Sequence, residues 1–192
     1  MSKMKNQQLA LIFVGIIAIQ GCAAVVVGAG VSAASAAHDR RTLGTQLDDK
    51  TAGSRLSIAL SKDETINTQT NINVHVFNGT ALLLGQAPNE QLIRKAQALA
   101  ESVKNIKKLH NQIRIASPIS TATRSHDLWL ASKIKTKLLS DKRIDGLHVE
   151  VEVEYSEVFL MGLVSEKEAS IAVDIARNVD GVKQVIKAFE YL

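Results

Sequence analysis

The chain has 192 residues, 46% hydrophobic and 22% charged, which is ordinary globular composition with room for one domain or two small ones. Aromatic residues make up 4%, so the core is expected to be aliphatic. The formal charge is +4, and without Lys3 and Lys5 of the leader it is +2, a balance too mild to support a nucleic-acid partner.

Residues 1–8 carry Lys3 and Lys5, and residues 9–19 (LALIFVGIIAI) are apolar. A charged start, a short apolar run and a small residue before the cut read as a signal peptide over 1–21. The apolar run alone is too short for a bilayer, which needs about 20 residues. Cys22 is the lone cysteine, which excludes an internal disulfide. Ile19, Gln20, Gly21 and Cys22 resemble a bacterial lipobox, with Ile19 in place of the commoner Leu and a bulkier Gln20 than usual. The resemblance implies cleavage before Cys22, diacylglycerol on its sulfur and an acyl chain such as palmitate on its amino group. Each chain adds about 0.8 kcal/mol per buried methylene, so several anchor stably. Ala23, not Asp, follows the cysteine, which implies the outer membrane with the body on its periplasmic face. The alternative is an uncleaved transmembrane helix extended through residues 23–37, but that stretch is rich in Gly, Ala and Ser. Residues 22–51 are expected to be the lipidated N-terminus and a flexible tether.

The remainder repeats: one unit spans 52–116 and a second 125–192, with 117–124 as linker. Thr80-Ala81-Leu82-Leu83-Leu84-Gly85 matches Glu157-Val158-Phe159-Leu160-Met161-Gly162, and Val103, Ile106 and Leu109 match Val179, Val182 and Val185. In unit two, Leu130, Ala131, Ile134 and Leu138 have helical spacing, predicting a helix over 126–141. Val149, Val151 and Val153 alternate with Glu150, Glu152 and Glu154, predicting a half-buried strand with an acidic face in water. Tyr155-Ser156 turns into an antiparallel strand over 157–163. Ser165 and Glu168 form a capping-box pattern before a helix over 166–178. Gly181 follows that helix, and a third strand covers 182–190. Unit one reads alike, with a short first helix over 53–62, a link lengthened by residues 67–70 and Asn78-Gly79 as hairpin turn.

Each unit is therefore αββαβ: an α/β (α+β) sandwich whose three-stranded mixed sheet is covered by two helices. At about 65 residues each is small for an independent core, so the two are expected to support each other. Two such units with a Leu-x-Gly strand end, following a lipobox, resemble BON domains. The resemblance covers nearly all of 52–192 and extends to dual-BON outer-membrane lipoproteins. It implies binding of anionic phospholipid (phosphatidylglycerol or cardiolipin), enrichment at division septa and a role in outer-membrane integrity.

Chemistry is sparse. The five histidines, His38, His75, His110, His126 and His148, show no metal-ligand spacing, and no nucleophile-elbow or phosphate-loop pattern occurs. Neither enzyme activity, cofactor nor metal is expected.

The first helix of unit two points to a specific activity. With Ile134 at zero on a helical wheel, Leu130, Ala131 and Leu138 cluster on the core side. Trp129, the chain's one tryptophan, and Leu139 point away from it, with Ser132, Thr136 and Ser140 between them. Lys133 and Lys135 flank this outer face, and Lys142 and Arg143 follow the helix. An outward indole with a cationic rim suits an anionic headgroup layer, and in the resembling lipoproteins the matching Trp inserts. Unit two carries 9 basic and 12 acidic residues, a net −3, so lipid affinity must be local. Unit one has 8 basic and 4 acidic residues, a net +4, and no comparable aromatic, so it is expected to support or contact proteins. The alternative is a scaffold for envelope-assembly proteins, with Trp129 and Leu139 as a protein interface.

Overall fold

The computed structural model describes residues 39–192. The leader over 1–21, Cys22 and the tether residues before 39 lie outside the described residues.

Helix α1 (Leu43–Lys62) begins at Leu43, where the sequence predicts tether through residue 51 and a helix only from 53. Thr42 caps it, its hydroxyl accepting from the Thr45 amide at 3.1 Å. Its buried positions are Asp49, Ala52, Leu56 and Leu60. An aspartate holds the first of them while Leu43 and Leu47 are exposed, which hides the apolar period in this half. A short helix α2 (Glu64–Gln69), capped by Asp63, replaces the predicted link. Then come β1 (Asn71–Phe77), β2 (Thr80–Ala87), α3 (Glu90–Ser102) and β3 (Lys108–Ile115).

Unit two opens with α4 (Thr121–Ser140), capped by Ser120, so the linker predicted over 117–124 is shorter and the helix starts before residue 126. A 3₁₀ turn (Gly146–His148) leads into β4 (Glu150–Glu154), β5 (Glu157–Val164), α5 (Glu166–Arg177) and β6 (Gln184–Tyr191). The Ser165–Glu168 capping box forms with both its bonds. In each sheet the middle strand is antiparallel to the first and parallel to the third. Two apolar cores result. Leu56, Leu60, Leu83 and Ala96 lie in the first, and Leu130, Ile134, Leu138, Leu160 and Ala172 in the second.

A buried aspartate ties each first helix to its hairpin. Asp49 accepts from the amides of Asn78 (2.7 Å) and Gly79 (2.8 Å). Asp127, at the matching place in α4, accepts from Tyr155 and Ser156, both at 2.9 Å. All four turn residues have positive φ, including the non-glycines Tyr155 (60°) and Ser156 (63°), a conformation two-residue hairpins require. The two amides converge on one carboxylate, which offsets the cost of bending side-chain-bearing residues this way. The glycine of the repeated strand end has a different reason. Gly85 (φ 130°) passes so close to the start of β1 that a Cβ would lie 1.8 Å from the Asn71 carbonyl oxygen, and Gly162 (φ 152°) so close to the 3₁₀ turn before β4 that a Cβ would lie 2.2 Å from that of His148.

The helices cover one face of each sheet, and the remaining faces cover each other. Leu82, Leu84 and Phe77 of unit one pack with Phe159, Met161 and Ala188 of unit two, making four layers: helix, sheet, sheet, helix. The acidic face expected in water therefore lies along this seam. Glu152 pairs with His75 at 2.9 Å, Glu150 with Arg41 at 3.5 Å, Glu154 with Gln86 and Glu157 with Arg114. Contacts repeat with the units exchanged. Arg114 of β3 meets Glu157 at the start of β5, while Glu190, at the matching place in β6, meets Thr80 at the start of β2. His75 and Glu152 hold the same position in their units and meet one another, as residues on a two-fold axis do.

The chain enters this body under two clamps. Arg40 donates to both carboxylate oxygens of Glu168 (2.9 and 2.8 Å) and to the Leu163 carbonyl (3.0 Å). Arg41 pairs with Asp49 at 2.8 Å and stacks 3.7 Å over Phe77. The Arg40 guanidinium, with help from the Ser165 amide and hydroxyl, lowers the Glu168 pKa to about 2.

Asp127→Ala strips both turn amides of their acceptor and is expected to cost about 3 kcal/mol, read from urea unfolding. Glu168 is depressed in the folded state, so its contribution is complete above its ordinary pKa of 4.5 and fades as pH falls towards about 2. Glu168→Gln should flatten that stretch of the acid stability curve, measured by thermal unfolding across the window.

Candidate membrane-binding surface

Helix α4 is anchored by Asp127, Leu130, Ile134 and Leu138, all buried. That register turns Trp129 outward with 53% of its surface exposed and Leu139 with 52%. The indole is braced: the His126 ring lies 5.6 Å from it, and the Lys133 ammonium sits 4.8 Å from its centroid. Its exposed area stays presented outward while a cation is held over its ring.

Between Trp129 and Leu139 the helix is smooth. The Ser132 hydroxyl donates to the Leu128 carbonyl at 2.9 Å, Thr136 to Ser132 at 2.8 Å and Ser140 to Lys137 at 3.1 Å. With hydroxyls turned back on the backbone, this strip presents methylene and methyl surface. Two further leucines join the patch. Leu128 is 65% exposed and Leu147, across a shallow depression from Leu139, is 43% exposed. The wheel places Leu128 near Leu139, so sequence could have found it. Leu147 comes from the 3₁₀ turn, where helical periodicity has nothing to say.

The expected cationic rim is only partly there. Lys142 is exposed beside the Leu139–Leu147 depression. Lys135 is not on the rim: its ammonium donates to the carbonyls of Gly146 (2.9 Å) and Val149 (2.5 Å), and burial pushes its pKa down. The wheel gave its direction correctly, but the turn before β4 folds over it and offers two acceptors. Arg143 is engaged by the Asp141 carboxylate, which receives Nε at 3.0 Å and Nη2 at 2.7 Å, and the pairing lowers the Asp141 pKa to about 2. The Arg143 side chain nonetheless remains 56% exposed. The surface is thus an apolar strip of Leu128, Trp129, Leu139 and Leu147 with Lys133 and Lys142 as its ready cations.

The BON domain model matches residues 48–117 and again 126–192, and the chain belongs to the BON domain family. It is an outer-membrane lipoprotein with two BON domains, 40% identical to outer membrane lipoprotein DolP of Haemophilus influenzae over 97% of this chain and 96% of that one. It is also 38% identical to the 21 kDa hemolysin of Actinobacillus pleuropneumoniae over 80% of this chain and 79% of that protein. Osmotically-inducible protein Y of Escherichia coli is 27% identical over 74% of this chain and 72% of its own length.

Lys135→Met removes the donor from two carbonyls without opening a large cavity. The expected result is a loss of about 2 kcal/mol in chemical denaturation.

Proposed function

We propose that the chain is a binding protein, not an enzyme, and that it docks on anionic phospholipid, phosphatidylglycerol or cardiolipin, through the outer face of α4. Trp129 inserts at headgroup depth, the leucines bury beside it, and Lys133, Lys142 and the exposed part of Arg143 meet phosphate. The observation that carries this reading is the half-exposed Trp129 held between His126 and Lys133 on a strip of leucines.

Magnitudes agree with a tethered role. Each lysine near an anionic surface contributes about 1 kcal/mol, so two lysines, an arginine partly engaged by Asp141 and one indole make a weak site. An acyl anchor at Cys22 raises the effective concentration of bilayer, and a weak site then suffices. The similarity to DolP supports placing the body on the periplasmic face of the outer membrane. The same likeness favours a role in membrane integrity and enrichment at division septa. The alternative, a scaffold for envelope-assembly proteins, would use the same leucines against a protein.

Trp129→Glu is expected to abolish binding to phosphatidylglycerol vesicles while circular dichroism and thermal unfolding stay unchanged. NMR titration of the parent chain should move resonances of α4 and residues 141–147 with anionic but not zwitterionic lipid. Retained vesicle binding by the Trp129→Glu variant, or equal shifts with zwitterionic lipid, would overturn the proposal.

A further inference from the structure

We infer that the open edge of strand β1 is a second binding site, built to accept an extended peptide of a partner protein as a fourth strand of the first sheet. β1 pairs with β2 on one side only. The hairpin closes at Phe77–Thr80, so hydrogen-bonded pairs alternate from there through His75–Leu82 and Asn73–Leu84. The outward N–H and C=O groups then belong to Ile72, Val74 and Val76. Among the described residues these backbone groups have no hydrogen-bond partner.

A groove runs beside this edge. One wall is α1, which offers Gly53, Ser54 and Ser57 along the rim of β1. The other is the first strand of unit two, with Glu150 beside Val76 and Glu152 further along. Comparison of the two units shows that the first edge is the less obstructed of the two. Matching Asp49 to Asp127 aligns Ser57 with Lys135. In unit two that lysine spans the corresponding place and occupies the carbonyls of Gly146 and Val149, just before the edge strand β4. A long polar side chain thus covers the approach to one edge, a protection soluble sheets commonly use. In unit one a serine stands there and the edge is longer, seven residues against five.

The walls define the occupant. Side chains of an added strand alternate, one set towards the helices and one towards the other sheet. The first set meets glycine and serine on α1 and requires small apolar residues. The second meets Glu150 and Glu152, whose side chains remain 43% and 32% exposed beside their partners Arg41 and His75. The lining as a whole sets the carboxylates of Asp49, Asp127, Glu150, Glu152 and Glu154 against the cations of Arg41, Lys50 and Arg124, an acidic balance that favours Lys or Arg. The partner segment is therefore an extended stretch of alternating basic and small apolar residues.

The test uses the full mature chain in neutral detergent and a heptapeptide of alternating lysine and valine, with hydrogen exchange followed residue by residue. The amides of Ile72, Val74 and Val76 should exchange rapidly in the free chain and slow at least about tenfold at saturating peptide. Ser57→Lys, which installs the side chain unit two already carries there, should weaken the peptide at least about tenfold and leave anionic-vesicle binding intact. Val74→Pro, which removes one outward N–H, should do the same. The inference fails if millimolar peptide gives no protection or if the Ser57→Lys chain is protected equally. It fails too if those amides are already slow in the free chain and slower at higher protein concentration, which would assign the edge to self-pairing.

Discussion

A three-stranded sheet with both helices on one side has a second face that it cannot cover by itself. Phe77, Leu82 and Leu84 in one unit and Phe159, Met161 and Ala188 in the other would stand in water if the units were separated. Burying them is worth roughly 25 cal/mol per Å² of apolar surface removed from water, so the two sheets stabilise one another as halves of a single core. Part of the acidity of unit two is placed by the same constraint. Basic and amide side chains of unit one meet the glutamates of unit two around the apolar centre. These pairs fix the register of the seam more than they add stability, since half-exposed ion pairs contribute little.

The seam also shows what duplication within one chain permits. In a homodimer a residue on the two-fold axis faces its own copy, and a glutamate there would face a glutamate. Here the same position carries His75 in one unit and Glu152 in the other, so complementarity is available where symmetry would forbid it. The units have diverged further on their outer helices. The place of Trp129 in α4 is taken by Thr51 in α1, and that of Leu139 by Ser61. The common scaffold of buried aspartate, hairpin and glycine keeps both units folded while their exposed faces change.

Function in this architecture is a matter of which surface the fold leaves uncovered. The register imposed by Asp127, Leu130, Ile134 and Leu138 turns the indole out. The turn before β4 withdraws Lys135 from the rim and supplies Leu147 in exchange. α1 and α4 belong to opposite outer layers of the sandwich, so a bilayer under α4 leaves the α1 layer facing away from it. The edge of β1 runs between these layers, beside α1 along most of its length and with Leu128 of α4 near Ile72 and Val74.

The repeat, the order αββαβ, the capping box and the outward direction of Trp129 and Leu139 were legible in the sequence. Each depends on local periodicity, short-range turn chemistry or the angle between residues on one helix. The first half of α1 was not, because its core position is an aspartate whose partners, the amides of Asn78 and Gly79, lie about thirty residues along the chain. Nor could periodicity tell whether the glutamates of β4 face water or a second sheet, because alternation marks two faces without saying what covers the polar one. The same holds for Lys135: its wheel angle was right, and only the fold brought two carbonyl oxygens within reach of its ammonium. Local pattern fixes direction. Burial and partnership are decided by segments far apart in sequence, and the covering of one unit by the other exists only once both have folded.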